Sequence, residues 1–287
     1  MCTLTFTGPG LVLAANAEAE ERTMSPGDPA GGYRIWFNRD ELRSRGPEIP
    51  PSEARTPTGV RYIAPTDSDA GGTWIAANEF GVTVALLNGF IESKGPPRAL
   101  YTSRGALVRS LADLAGISQV WSRLTPARLA DFRPSVLCVL APGERPAVIR
   151  WDGRDVEIDV LGDRQLPLTS SSYEQDEVQR FRRDLYREQV TARAAGGPPR
   201  PSDLAAFHAF IGGDGPSAMT PSMAREDAAT RSHCVIHVLP GETRFGYIPG
   251  PPHGAPELTT VTLRSPHAPG LKAIPRPLAP VPPGGSR

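Results

Sequence analysis

Short apolar runs joined by tight turns do most to limit what this chain can fold into. Trp74-Ile75-Ala76-Ala77 and Val82-Thr83-Val84-Ala85-Leu86-Leu87 flank the turn Asn78-Glu79-Phe80-Gly81, and residues 234–239 and 243–248 flank Pro240-Gly241-Glu242. Turns this short join antiparallel neighbours, because a parallel crossover needs a dozen or more residues. Residues 3–7, 33–37 and 60–63 read as further strands. Residues 135–160 read as a meander turning at Trp151-Asp152-Gly153-Arg154. Leu107, Val108, Leu111 and Leu114 fall at helical spacing behind Ser103, and residues 126–132, 174–193 and 204–211 also predict helices. Residues 41–58 are charged and Pro-rich and read as a long loop. The alternation of strand and helix blocks predicts an α+β fold with antiparallel sheets. No Gly-x-Gly-x-x-Gly follows a strand, which weighs against a dinucleotide fold.

A length of 287 residues at 39% hydrophobic content suits one sizeable domain. The expected domain is 1–264, with residues 14–32 as a polar, Pro/Gly-rich surface insert and 265–287 as a flexible Pro/Gly-rich tail. Basic and acidic residues balance at 31 each, which argues against nucleic acid or an anionic membrane as partner. No apolar run reaches 18 residues, so no membrane-spanning helix is expected. Cys2, Cys138 and Cys234 are odd in number and far apart, neither a disulfide framework nor a metal cluster. That usage suits a reducing, cytoplasmic compartment. Cys138 and Cys234 lie in strand-like runs as small buried hydrophobes. Leu11-Val12-Leu13-Ala14-Ala15-Asn16-Ala17 imitates a secretory cleavage site, and cleavage there would discard Cys2. Against it, no Lys or Arg precedes Arg22, and Gly8-Pro9-Gly10 breaks the run.

Cys2 directly follows the initiator Met. A small side chain at that position permits removal of Met1, leaving Cys2 at the N-terminus. An N-terminal Cys joins a strong nucleophile to an amine of pKa near ~7.7–8.0 that can take its proton. Asn is scarce, with Asn16, Asn38, Asn78 and Asn88 the only four. Asn38, Asn78 and Asn88 fall where strands are expected to end, so their amides could reach a pocket. For any one of them taken alone, ordinary turn chemistry is the better account.

Taken together, Met1-Cys2-Thr3, Asn38-Arg39-Asp40-Glu41, Gly71-Gly72-Thr73-Trp74, Asn78-x-x-Gly81, Leu87-Asn88 and Thr230-Arg231-Ser232 resemble the NRDE family. That family includes the transport and Golgi organisation protein 2 homologues. It is similar in turn to the N-terminal nucleophile hydrolases of the choloylglycine and penicillin V acylase group. The resemblance implies a four-layer αββα sandwich with two stacked antiparallel sheets. It also implies a site built from Cys2, Arg39, Asp40, Asn88, Ser170 and Arg231. Cys2 would attack an amide carbonyl, Asp40 would hold the amine, and Arg39 or Arg231 would lower the thiol pKa. Asn88 would stabilise the oxyanion. The acylases use a second Asn where Leu168-Thr169-Ser170-Ser171-Ser172 places Ser170.

The expected activity is hydrolysis of a non-peptide carbon–nitrogen bond in a small molecule, with no metal or organic cofactor. The alternative is a binding or trafficking protein on the same scaffold, taking haem or a lipid or acyl ligand. Oligomeric state is left open. His233 and His237 share a strand face, but no third ligand is near in sequence. His208 reads as a helix residue, on the surface or in the core. Arg180, Arg182, Arg183 and Arg187 alternate with acids and read as a solvated helix face.

Overall fold

A computed structural model describes residues 2–8, 31–91, 93–95, 100–194, 196–254 and 257–266. The 265–287 tail and the 14–32 insert therefore fall almost wholly outside the described residues. The strands are β1 (Cys2–Thr7), β2 (Tyr33–Leu42), β3 (Ile49–Arg55), β4 (Arg61–Thr66), β5 (Ile75–Asn78), β6 (Thr83–Asn88) and β7 (Ser135–Leu140). They continue with β8 (Ala147–Trp151), β9 (Val156–Val160), β10 (Leu168–Ser170), β11 (Ala228–Leu239), β12 (Glu242–Pro249) and β13 (Thr259–Arg264). Helices are α1 (Arg104–Ser110), α2 (Val120–Arg123), α3 (Pro126–Leu129), α4 (Gln175–Tyr186), α5 (Ala192–Ala194) and α6 (Pro201–Ala209).

Among the described residues every pairing between these strands is antiparallel. One sheet runs β10-β1-β2-β11-β12-β13 and the other β3-β4-β5-β6-β7-β8-β9. Alternate residues of a strand face opposite sides, so Cys2, Leu4 and Phe6 share one face and Thr3, Thr5 and Thr7 the other. Both faces are buried. Leu4, Phe6, Ile35, Phe37, Ile236 and Phe245 meet Ile63, Ile75, Leu87 and Cys138 of the second sheet in one core. The threonine face of the first sheet lies under α4 and α6. The outer face of the second sheet packs Val84, Leu86 and Ile149 against Leu107, Val108 and Leu129 of α1 and α3. The layers are thus helix, sheet, sheet, helix, the αββα order.

Three expectations are corrected. β2 does not end at Phe37 but runs on to Leu42, so Asn38 sits inside a strand. Residues 41–58 are no plain loop, because β3 occupies 49–55. Its prolines are tolerated on a sheet edge, where one row of N–H groups has no partner to lose. The arginine-bearing helix is not a uniformly solvated face either. Val178, Arg182, Leu185 and Tyr186 form the buried stripe of α4, while Arg180, Arg183 and Arg187 are exposed.

Gly81 closes the β5–β6 turn at φ +76°, a left-handed conformation that glycine adopts without strain. A Cβ there would meet Pro142 and Val238 at 2.9 Å. Gly72 serves a close approach instead. A Cβ on it would lie 2.7 Å from the backbone of Gly105, and this contact sets the start of α1 beside β5.

Candidate active site

Cys2 opens β1 and is flanked by Ser170 of β10 on one side and Arg39 of β2 on the other. Its side faces a cleft of about 720 Å³ lined also by Arg39, Asp40, Trp74, Asn88 and Arg104. Cys138 and Cys234 are fully buried in the core. Of the three thiols, Cys2 alone borders open space.

Arg39 shares the Cys2 face of the sheet. Its guanidinium stacks 4.3 Å from the centre of the Trp74 ring and is ringed by acids. It pairs closely with Glu48, with Asp67 at 3.1 Å and with Glu41 at 3.4 Å. Burial weighs against its charge, but Glu48, Glu41, Cys2 and Asp67 more than offset that and raise its pKa. Much of its positive field is therefore spent on neighbours other than the thiol.

Burial pushes the Cys2 thiol up to about 11, and the Asp40 charge adds to the rise. The positive chain terminus, Arg39 and a hydrogen bond from the Asp40 backbone N–H act in the opposite sense without cancelling it. The expectation of a thiol made more acidic by arginine is thus corrected: desolvation wins. Arg231 does not contribute. It lies at the irregularity in β2–β11 pairing between Thr230 and Ser232, outside the cleft, and Nη1 donates to the Arg43 carbonyl at 3.3 Å.

Asp40 borders the cleft while its carboxylate is anchored from the helix side. Oδ1 accepts from Thr230 Oγ1 at 2.7 Å, and Oδ2 lies 3.5 Å from Arg182 Nη1. Arg182 also donates to Thr3 Oγ1 and to the carbonyls of Ala218, Met219 and Thr220. Beside this pair, Asn38 Oδ1 receives hydrogen bonds from Nδ1 of His233 at 2.6 Å and of His208 at 3.1 Å. With Nδ1 protonated, His208 Nε2 accepts from Thr5 Oγ1 at 2.9 Å. Burial lowers His233 to about 4; burial, His233 and Arg182 take His208 well below the usual range. Both rings are neutral structural groups. His237 stands apart, against Arg34, and among the described residues no three His, Cys, Asp or Glu side chains gather into a metal site.

Asn88 ends β6 and lines both the main cleft and a second cavity of about 530 Å³. Its side-chain amide makes no hydrogen bond among the described residues, which leaves it able to donate. Ser170 is buried and lines the second cavity, and its hydroxyl lacks a partner among the described residues. Asn78, by contrast, is wholly structural. Nδ2 donates to the carbonyls of Ala112 and Leu114, and Oδ1 accepts from the N–H of Phe80 and Val82.

Cys2, Arg39, Asp40 and Asn88 thus meet at one cleft, Ser170 stands beside Cys2 on the next strand and lines the neighbouring cavity, and Arg231 is elsewhere. Sequence reasoning missed Glu48, Asp67, Arg104 and Arg182. Glu48 and Asp67 lie between strands with no spacing that marks them. Arg182 has a signal in hindsight, its i, i+4 relation to Val178 and Tyr186 on the buried stripe.

The sequence matches no protein-family profile and no curated protein, so the NRDE resemblance rests on its motifs. Among solved structures, penicillin V acylase from Agrobacterium tumefaciens is similar in shape. It is 13% identical, with 79% of this chain and 82% of that chain covered and a TM-score of 0.46. A mutant of the conjugated bile acid hydrolase of Clostridium perfringens is 11% identical, covering 80% of this chain and 93% of that one, at a TM-score of 0.41. Likeness at this level speaks to neither substrate nor mechanism.

Proposed function

We propose that this chain is an N-terminal cysteine hydrolase acting on a non-peptide amide bond. The observation that carries the reading is that Cys2, alone of the three thiols, borders the cleft, with the Asp40 N–H directed at it and Asn88 on the same wall. Removal of Met1 would put the free amine on Cys2 itself. The Cys2 sulfur then attacks the amide carbon while its proton passes to that amine. The carbonyl oxygen becomes an oxyanion, with the Asn88 amide as a donor toward it. Collapse of this intermediate breaks the carbon–nitrogen bond, and the ammonium gives its proton to the leaving nitrogen. Water, deprotonated by the amine, then hydrolyses the thioester.

Two observations favour the second reading, a non-catalytic binder of a lipid, acyl or haem ligand. The thiol is pushed up to about 11, and Ser170 offers a hydroxyl where the acylases have Asn. Turnover of an N-acyl amide panel by wild type and Cys2→Ser separates the two, with intact mass reporting loss of Met1. The hydrolase reading expects a mature chain beginning at Cys2 and turnover that collapses by orders of magnitude in Cys2→Ser. Equal background rates for both proteins across the panel would leave the binder.

A further inference from the structure

Arginines Arg39, Arg45, Arg104, Arg133 and Arg225 line the main cleft. Arg39 is paired with Glu48, Asp67 and Glu41; Arg45 with Asp67 and Asp69; Arg225 with Asp227. Arg104 and Arg133 have no carboxylate partner among the described residues. Arg104 donates Nη1 to the neutral Pro134 carbonyl at 3.0 Å, and Nε and Nη2 have no partner among those residues. Arg133 lies 5.2 Å over the Tyr101 ring. The two also share the wall of an adjoining cavity of about 290 Å³, with Phe90 and Tyr101. They are close enough to repel: burial first, then the charge of Arg133, lowers the pKa of Arg104, while a thiolate at Cys2 and the Glu41 carboxylate act the other way without cancelling it. Two like charges with no direct ion-pair partner on one cleft wall repel, and an anion entering between them relieves that repulsion.

We propose that Arg104 and Arg133 form an anion subsite that takes a carboxylate carried by the ligand of this cleft. As a statement about the substrate it rests on the amide-hydrolase reading above, and the bound molecule is then an amide with a carboxylate on its acyl or its amine half. The planar guanidinium forks suit a carboxylate's two oxygens, and the unused donors of Arg104 make no ion pair, Glu41 acting on it only through its charge at longer range. The Phe90 and Tyr101 rings offer apolar surface beside the charge.

Two probe pairs test this. N-phenylacetylglycine and its methyl ester place the charge on the amine half; N-benzylsuccinamic acid and its methyl ester place it on the acyl half. Affinities are measured by calorimetry on Cys2→Ser protein, so that turnover does not intervene, and KM on wild type. At least one acid should bind about tenfold or more tighter than its ester. Arg104→Gln and Arg133→Gln should each erase most of that ratio with little change for the ester, and Arg104→Lys should restore part of it. Arg133 is exposed, so its replacement tests the idea without threatening the core. Equal affinity of acid and ester in both pairs, or a ratio untouched by both glutamine variants, overturns the subsite. Arginine-dependent acid binding without turnover of any amide upholds the subsite and sinks the hydrolase reading. Turnover of neutral amides with no acid preference does the reverse.

Discussion

Cys2 and Arg39 stand opposite each other across two paired strands, a placement that invites the idea of an arginine-activated thiol. The surroundings decide otherwise. Arg39 is held by Glu48, Asp67 and Glu41 and stacked on Trp74, while Cys2 is only 6% exposed and is pushed up to about 11. At pH 7.5 a thiol with that pKa is ionised to only about three parts in ten thousand, against roughly a tenth for a free cysteine near 8.5. Cys138 and Cys234 are fully buried and pushed up further by burial. Iodoacetamide on the native protein should therefore modify Cys2 first of the three. In protein that retains Met1 the reaction should be slower than with free cysteine, and should accelerate as pH rises past 9. Peptide mapping of a timed reaction reads both points. Earlier labelling of Cys138 or Cys234 would contradict the cleft assignment, and labelling faster than free cysteine would contradict the dominance of burial.

α4 fastens the site from behind, through Arg182. Its guanidinium and the Asp40 carboxylate are both wholly buried, so removing one partner strands the other's charge in a medium that cannot solvate it. Arg182→Met should cost about 3–5 kcal/mol of stability. The double variant Arg182→Met with Asp40→Asn should recover part of that loss, which urea denaturation of the four proteins in the cycle would measure. Strictly additive losses would mean that the pair is not what holds α4 to the sheet. The β5–β6 hairpin divides its two asparagines in the same manner. Asn78 makes four side-chain hydrogen bonds, two within the turn and two to the carbonyls of Ala112 and Leu114 beyond α1, and the Asn88 side chain makes none among the described residues. Asn78→Ala should cost stability by leaving buried groups unpaired, about 1–3 kcal/mol. Asn88→Ala should leave stability nearly unchanged and lower turnover by about 10²–10³ if its side chain serves the oxyanion. The hairpins were legible because the turn motif Asn78-x-x-Gly81 sits between two plain strand patterns. β3 was not, because an edge strand tolerates the prolines and charges that mark a loop. The site was legible where short motifs mark it, at Cys2 behind Met1, at Arg39 and Asp40 in Asn38-Arg39-Asp40-Glu41, and at Asn88 in Leu87-Asn88. It was not where it depends on which way a helix turns its face: Arg182 of α4 points inward while Arg180 and Arg183 point out, and no composition rule separates them.

Across the whole molecule, the sheets meet through an apolar core, while the interface of the first sheet with α4 and α6 is largely polar. Thr3, Thr5, Asn38, Asp40, Arg182, His208 and His233 fill it, all buried. The αββα order follows from strands buried on both faces, and the sequence hints at it in the Cys-Thr-Leu-Thr-Phe-Thr alternation of β1, apolar toward the other sheet and hydroxyl toward the helices. A polar interface of this kind ties the fold to pH. His233 is lowered to about 4 and His208 well below its usual value, whereas both titrate near 6.5 in the unfolded chain. Above about pH 6.5 both states hold these rings neutral and they confer no pH dependence. As pH falls below that, the unfolded chain binds two protons that the native chain refuses, so native stability declines. With two unmatched protons the slope approaches about 2.7 kcal/mol per pH unit, and the share of His233 ends near pH 4, where its native form protonates too. Urea unfolding between pH 7 and 4.5 should show this decline. His208→Gln, which keeps a polar group toward Thr5, should roughly halve the slope whatever it does to absolute stability. A flat profile between pH 6.5 and 5 would mean that the rings are charged or solvated in the native state. An unchanged slope in His208→Gln would place the lost protons on other groups.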